Sequence, residues 1–136
     1  MATRLVTVFG ASGFIGRHVV QRLAARGYQV RAAVRNPDEA LFLKTMGDVG
    51  QITPVQANIR NEASVQAAVA GADAVVNLVA ILYEGGKQRF DALHVAGAGA
   101  IAKAARAAGC NRFVHISALG ADRAAPSRYR RSQAAG

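Results

Sequence analysis

The sequence predicts an α/β fold, a doubly wound parallel sheet, on three observations. A β-branched run, Val6-Thr7-Val8-Phe9, stops at a glycine and gives way to a helical pattern. Strand-like and helix-like segments then alternate five times, with no fixed repeat and no low-complexity linker. The fourth strand-like segment, Asp73 to Ala80, is almost continuously apolar, as in a strand covered on both faces. Such alternation implies right-handed crossovers, strand order 3-2-1-4-5, and a ligand at the carboxyl ends of strands 1 and 4.

The elements follow in order. After the first strand, Ile15, Val19, Val20 and Leu23 recur at helical spacing until Gly27 offers a stop. Gln29 to Arg35 reads as the second strand. Asn36 can cap a following helix, and Pro37 suits its first position because that N–H would lack a partner anyway. This helix should run to about Met46 and end near Gly47. A short strand, Ile52 to Gln56, precedes a helix capped by Asn61, with Val65, Ala68 and Val69 on one face and Gly71 closing it. Gly85-Gly86 marks a loop, and Phe90 to Ala108 reads as an alanine-rich helix ended by Gly109. Arg112 to Ser117 is the fifth strand. Ala124 to Ser127 forms a turn before a helix that begins near Tyr129.

Composition narrows the function. The 136 residues are read as one domain, 1–136, and 51% apolar content with 18% charged residues excludes a disordered chain. No stretch holds about 18 uninterrupted apolar residues, so no membrane span is expected. Residues 63–82 come nearest, but Gln66, Asp73 and Asn77 interrupt them. Arg4 ahead of Leu5 to Phe9 imitates a secretion signal, yet the apolar run is short and leads into the glycines, so no targeting segment is read. The single Cys110 permits no internal disulfide and suits a reducing compartment. The net charge of +9 raises nucleic acid as a partner. The basic residues are scattered, however, apart from Arg123, Arg128, Arg130 and Arg131, and no stacking aromatics are interleaved with them; nucleic-acid binding is not expected. His18, His94 and His115 lack metal-ligand spacing with Cys110 or with an acid, so structural roles are expected for them and no metal.

The glycines carry the chemistry. Gly10, Gly13 and Gly16 fall between a strand and a helix, where backbone N–H groups and the positive end of the helix dipole converge on one point and stabilise a pyrophosphate. Gly10 permits the turn, Gly13 lets the backbone approach the phosphates, and Gly16 lets the helix lie close on the strand. A nicotinamide dinucleotide is the expected ligand. The end of the second strand selects which one, because an acid there receives a ribose 2′-OH whereas a 2′-phosphate requires a cation. Arg35 occupies that position and no acid occurs between Arg17 and Asp38. NADP(H) is therefore favoured over NAD(H), with Arg35 as the phosphate contact and Arg17 as a second candidate.

Four phrases carry a family resemblance: Gly10-Ala11-Ser12-Gly13-Phe14-Ile15-Gly16, Asn58-Ile59-Arg60, Asn77-Leu78-Val79-Ala80, and Phe113-Val114-His115-Ile116-Ser117-Ala118-Leu119-Gly120-Ala121. Together they resemble an extended or atypical short-chain dehydrogenase/reductase of the NAD(P)-binding Rossmann superfamily. Within it, His115 to Ala121 and Arg35-Asn36-Pro37 most resemble the dehydrogenase-like accessory subunit of respiratory complex I and its bacterial relatives. The resemblance implies that Gly10, Ser12, Gly13, Phe14, Ile15 and Gly16 hold the pyrophosphate and that Asn58 and Ile59 lie near the adenine. Leu78, Val79 and Ala80 would line the nicotinamide side. Asn58 stands where an Asp is common.

The resemblance also makes Ser117 and Tyr129 the counterparts of the family's catalytic serine and tyrosine. Tyr129 should open Y-x-x-x-K, but the fourth residue after it is Gln133. A free tyrosine titrates near about 10, and the lysine's charge draws it toward a useful range. Gln133 can hydrogen-bond a ribose hydroxyl but supplies no such shift. Arg130 and Arg131 point away from the helix face shared by Tyr129 and Gln133. Relatives continue beyond the tyrosine helix with further strands and a substrate-binding portion, so the sheet read here is truncated at its C-terminal side. The expectation is an NADP(H)-binding domain whose nucleotide is structural or regulatory. It would work beside complex I, either in the cytoplasm or peripheral to the inner membrane through that complex. The competing expectation is an NAD(P)-dependent oxidoreductase or sugar epimerase/dehydratase acting on a carbonyl substrate.

Overall fold

Five parallel strands, β1 (Leu5–Phe9), β2 (Gln29–Val34), β3 (Ile52–Gln56), β4 (Ala74–Asn77) and β5 (Arg112–His115), form one sheet in the order β3-β2-β1-β4-β5. The computed structural model describes residues 4–136. The predicted class and strand order are both observed. Val6 pairs with Val30 and Ala74, and Val8 with Ala32 and Val76, so the rows of small and β-branched side chains lie in register across the centre of the sheet. Pro54 cannot donate to a ladder, and it sits in the edge strand β3 where that loss is tolerated.

Helices cover both faces. On one face lie α1 (Phe14–Ala25) and a 3-10 helix, Pro37–Met46, packed on Val6, Val8, Val30, Ala32 and Ile52 through Val20, Ala24 and Leu43. On the other lie α2 (Glu62–Val69) and α3 (Ala98–Ala107), packed on Phe9, Ala33 and Val75 through Val65, Val69 and Ile101. A π-helical turn, Asp91–Gly97, leads into α3, and α4 (Arg128–Ala135) lies beside that turn. Burial of each large apolar side chain contributes about 1.5–3 kcal/mol, so these two layers supply the main driving force. The expected caps are made: the Asn36 side chain accepts from the Asp38 N–H and the Asn61 side chain from the Ser64 N–H. At the other end of α2, Thr7 Oγ1 donates to the Ala68 carbonyl and Arg31 donates to the Ala68 and Ala70 carbonyls, satisfying groups the helix leaves unpaired.

The structure corrects five boundaries or faces. The buried face of α1 is Gly16, Val20 and Ala24, with Val19 and Leu23 at its margin, whereas Ile15 is 54% exposed. The helix is seated through its smallest residues, which apolar periodicity does not register. Strand β4 stops at Asn77 because the Asn77 Oδ1 accepts from the Val79 N–H and curls the chain. Strand β5 stops at His115, the partner of Asn77, because its neighbour ends there. The expectation that the fourth strand is covered on both faces holds only toward α3. On the α1 side, Val76 and Val114 border an open cavity of about 530 Å³ with Leu23 and Tyr28. Finally, the helix expected over Phe90 to Ala108 begins as the π-helical turn.

Gly16 fixes the distance between α1 and β1. A Cβ there would overlap the Gly10 carbonyl oxygen and stand 2.8 Å from the Ala11 Cα, both backbone atoms with no rotamer to yield. Gly16→Ala should lower stability by about 1–3 kcal/mol or more, measurable as a fall in the denaturant midpoint. An unchanged midpoint would show that the helix is not held at this spacing.

Candidate nucleotide-binding site

The turn between β1 and α1 has the form the glycines imply. Gly10 has φ +76°, and its N–H donates to the Ala33 carbonyl at the end of β2. A Cβ at Gly10 would lie 3.0–3.1 Å from backbone atoms of Leu78 and Val79, so the glycine also allows the exit of β4 to close against the turn. Gly13 is the N-cap of α1; it offers no side-chain cap, and no acid lies in the first turn. The first N–H groups of a helix lack partners within it, and here no side chain caps them, which leaves them open to an anion. Arg17 donates to the Ser12 carbonyl at 2.8 Å and the Gly13 carbonyl at 3.2 Å, and stacks 4.8 Å from the Phe42 ring centroid. It braces the turn, a different position from the second phosphate contact that the sequence suggested.

A cavity of about 210 Å³ opens from this turn at the carboxyl ends of β1 and β4. It brings together Gly10, Ser12, Gly13, Arg35, Asn58, Ile59, Leu78, Val79 and Ala80, nine of the residues singled out from the sequence, and no carboxylate lines it. Phe14 and Ile15 point their side chains to solvent, leaving backbone N–H groups as what they can offer. Gly16 is buried behind the turn and does not line the cavity. Asn58 is committed by its own loop: its Oδ1 accepts from the Arg60 N–H and its backbone N–H donates to Ser64 Oγ. Only its amide Nδ2 donors stay uncommitted. The residues present fit a dinucleotide, with a cation at the β2 edge, an open cradle at the helix start and apolar walls beyond. A larger groove of about 560 Å³ between α2 and α3 lacks that convergence and is lined mainly by alanine and glycine.

Ser117, Tyr129 and Gln133 are not in this cavity. The Ser117 hydroxyl lies 3.5 Å from the Gln133 carbonyl, and Gln133 is buried on α4. The Tyr129 ring packs edge-on against Phe90 and His94, with centroids 5.9 and 5.5 Å apart. His94 is 3% exposed, and burial lowers its pKa, opposed by a backbone contact from Ile81. His115 Nδ1 lies 3.1 Å from Asn77 Nδ2, while the His18 and Phe14 rings stand edge-on with centroids 5.3 Å apart. The Cys110 thiol donates to the Ala72 carbonyl, and burial followed by the charge of Asp73 pushes its pKa up, which leaves it unactivated. Two members of the arginine cluster are engaged. Arg128 pairs with Glu84 at 2.9 Å, and Arg131 donates to the Ala125 and Pro126 carbonyls.

The comparisons with known proteins agree with this geometry. A family described as NAD(P)H-binding matches residues 10–135. The chain belongs to this NAD(P)H-binding family. Among its relatives, NADH dehydrogenase (ubiquinone) 1 alpha subcomplex subunit 9 of Arabidopsis thaliana is 41% identical over 133 residues, covering 96% of this chain and 33% of that protein. The protein of the same name in Dictyostelium discoideum is 38% identical, covering 97% and 37%. The chain thus spans about a third of the length of these relatives. A short-chain dehydrogenase/reductase variant of Serratia marcescens superposes with a TM-score of 0.80 at 25% identity, over 97% of this chain and 63% of that one. The resemblance drawn from the sequence phrases is borne out.

In this family member the cavity is also walled by Ile81, Gln88 and Leu93, which the sequence reading missed. Ile81 could have been found, since it continues the apolar run after Ala80. Gln88 could not, because it follows an irregular glycine loop pinned by Glu84, which accepts from the Phe90 N–H and pairs with Arg89. Among the described residues no helix is long and apolar enough to cross a membrane. The turn geometry makes one outcome specific. Gly10→Ala, strained at φ +76° and pressed on Leu78, should weaken NAD(P)H binding by about tenfold or more, read by nucleotide fluorescence titration below the melting temperature. Wild-type affinity in this variant would contradict the assigned role of the turn.

Proposed function

We propose that this chain is the nucleotide-holding part of a protein associated with respiratory complex I, in which the dinucleotide is structural or regulatory. The observation that carries the reading is a complete phosphate cradle without the proton-transfer apparatus beside it. Gly10, Gly13 and Arg35 share the cavity, whereas the position expected to hold lysine is a buried glutamine. Tyr129 packs on Phe90 and His94, and no lysine or arginine shares its own helix face. A bound nicotinamide dinucleotide would supply hydride chemistry to a site that lacks this proton donor. What the chain's own residues do is bind: the α1 N–H groups hold phosphates, Arg35 holds a 2′-phosphate, and Leu78 to Ala80 shield the nicotinamide end, while the buried Gln133, outside the cavity, takes no part. Similarity to the subunit 9 proteins supports complex I as the partner, and with it a site peripheral to the inner membrane.

NADP(H) is the preferred nucleotide on this reading, because Arg35 borders the cavity and no acid does. Hydrogen bonds to a charged partner contribute about 1.5–3 kcal/mol, so Arg35→Ala should weaken NADPH by about tenfold or more and NADH by much less. Equal losses for both in parallel titrations would refute the Arg35 role. The competing reading, an oxidoreductase or epimerase, predicts turnover. Incubation of NADPH-loaded protein with a panel of carbonyl substrates should leave the absorbance of the reduced nucleotide unchanged. Steady oxidation abolished by Tyr129→Phe would establish the enzyme instead. Affinity capture from the source cells, followed by mass spectrometry, should recover complex I subunits; their absence would remove the partner.

A further inference from the structure

One buried side chain ties the nucleotide cavity to α4, and its hydrogen bonds permit only one protonation state. The Ile81 N–H, in the cavity wall, approaches His94 Nε2 at 3.0 Å. An amide N–H can only donate, so Nε2 carries a lone pair. On the far side, His94 Nδ1 lies 2.8 Å from Ser132 Oγ, and that hydroxyl donates to the Tyr129 carbonyl at 2.8 Å. Ser132 Oγ therefore accepts, and Nδ1 carries the proton. The chain runs in one direction, from Ile81 through His94 and Ser132 to Tyr129. Phe90 stacks on the imidazole at 5.4 Å and 19°, fixing the plane in which both bonds are made. The residue belongs to the π-helical turn, whose wider backbone often marks a functional position.

We propose that His94, neutral and protonated at Nδ1, is a positioning residue of the nucleotide site: it holds the Ile81 wall at one nitrogen and the Tyr129 turn of α4 at the other. The proposal rests on the nucleotide reading of the cavity. An imidazolium would turn a second N–H onto the Ile81 N–H, two donors facing each other, and the wall would detach. The groups around the ring do not favour the charged form. From α4 it meets Ser132 and Tyr129; Arg123, Arg128 and Arg131 are the basic residues bordering the adjoining cavity, and its own turn brings Asp91. Glu84, in the preceding loop, is taken up by Arg89 and Arg128, and no ion pair to His94 exists among the described residues. Burial lowers the His94 pKa from its ordinary value of about 6.5. Because the folded state resists the proton that the unfolded chain accepts, the stabilisation is complete above about pH 6.5 and is lost as the pH falls below it.

The test is calorimetric titration of NAD+, whose pyrophosphate does not titrate near neutrality, at pH 7.5 and 5.5, together with 15N NMR of the histidine rings. The wild type should show Nδ1–H for His94 at pH 7.5 and bind more weakly at pH 5.5, by less than the roughly tenfold loss that an imidazole of ordinary pKa would give. His94→Phe keeps the stack and loses both bonds; it should bind about tenfold more weakly at pH 7.5 with no further acid loss. His94→Gln can accept from Ile81 and donate to Ser132, so it should bind as the wild type does at pH 7.5 and stay level at pH 5.5. This rescue decides the matter even where His94→Phe does not fold. An Nε2–H tautomer, wild-type affinity in His94→Phe, or an acid loss that persists in His94→Gln would overturn the proposal while leaving the nucleotide reading intact. Should the wild type bind NADPH but not NAD+, the pH 7.5 comparison of the three proteins is read with NADPH; failure to bind either nucleotide would overturn both readings.

Discussion

The contact between Gly16 and the Gly10 carbonyl is the constraint on which the structure depends. With no side chain between them, α1 starts directly above the end of β1, and its first N–H groups open toward the carboxyl edge of the sheet. Everything functional is referred to that point. Gly10 touches the exit of β4 and donates to the end of β2, so one turn sets the mutual position of the three strand ends that wall the cavity. A larger residue at either glycine would move the helix start and the walls together.

The second level of organisation is the way loop residues are committed by short local bonds. Asn77 curls the chain after β4, Asn58 closes its own turn after β3, and Asn36 caps the helix after β2. These three bonds end strands at the same edge of the sheet. The cavity is therefore built from backbone held by neighbouring asparagines, with few long polar side chains reaching in. Such a lining suits holding a nucleotide in one pose more than exchanging protons with a substrate. The polar network that does exist, from Ile81 through His94 to α4, runs behind the wall.

Much of this was legible in the sequence, for physical reasons. Strand order follows from the alternation of elements and the handedness of crossovers, and the glycine turn from the absence of Cβ atoms at three spaced positions. The lining residues from Gly10 to Ala80 follow from knowing which strand ends meet. What was not legible depends on packing without periodicity. The close approach of α1 at Gly16 was read from its missing Cβ, but the seating on Ala24 escapes a search for large apolar residues, which pointed to the exposed Ile15. Arg17 reads as a cation free for a phosphate, and only the fold shows it spent on the Ser12 and Gly13 carbonyls. The role of His94 depends on Ile81 and Ser132, which are 13 and 38 residues away along the chain.

The central claim is that the opening amides of α1 seat the pyrophosphate. Backbone 1H–15N spectra recorded during titration with NADPH test it most directly. Saturable shifts are expected, largest at Gly13, Phe14, Ile15 and Gly16, with smaller ones at Arg35 and at Leu78 to Ile81. Shifts centred on the groove between α2 and α3, or none at the start of α1 at saturating nucleotide, would contradict it.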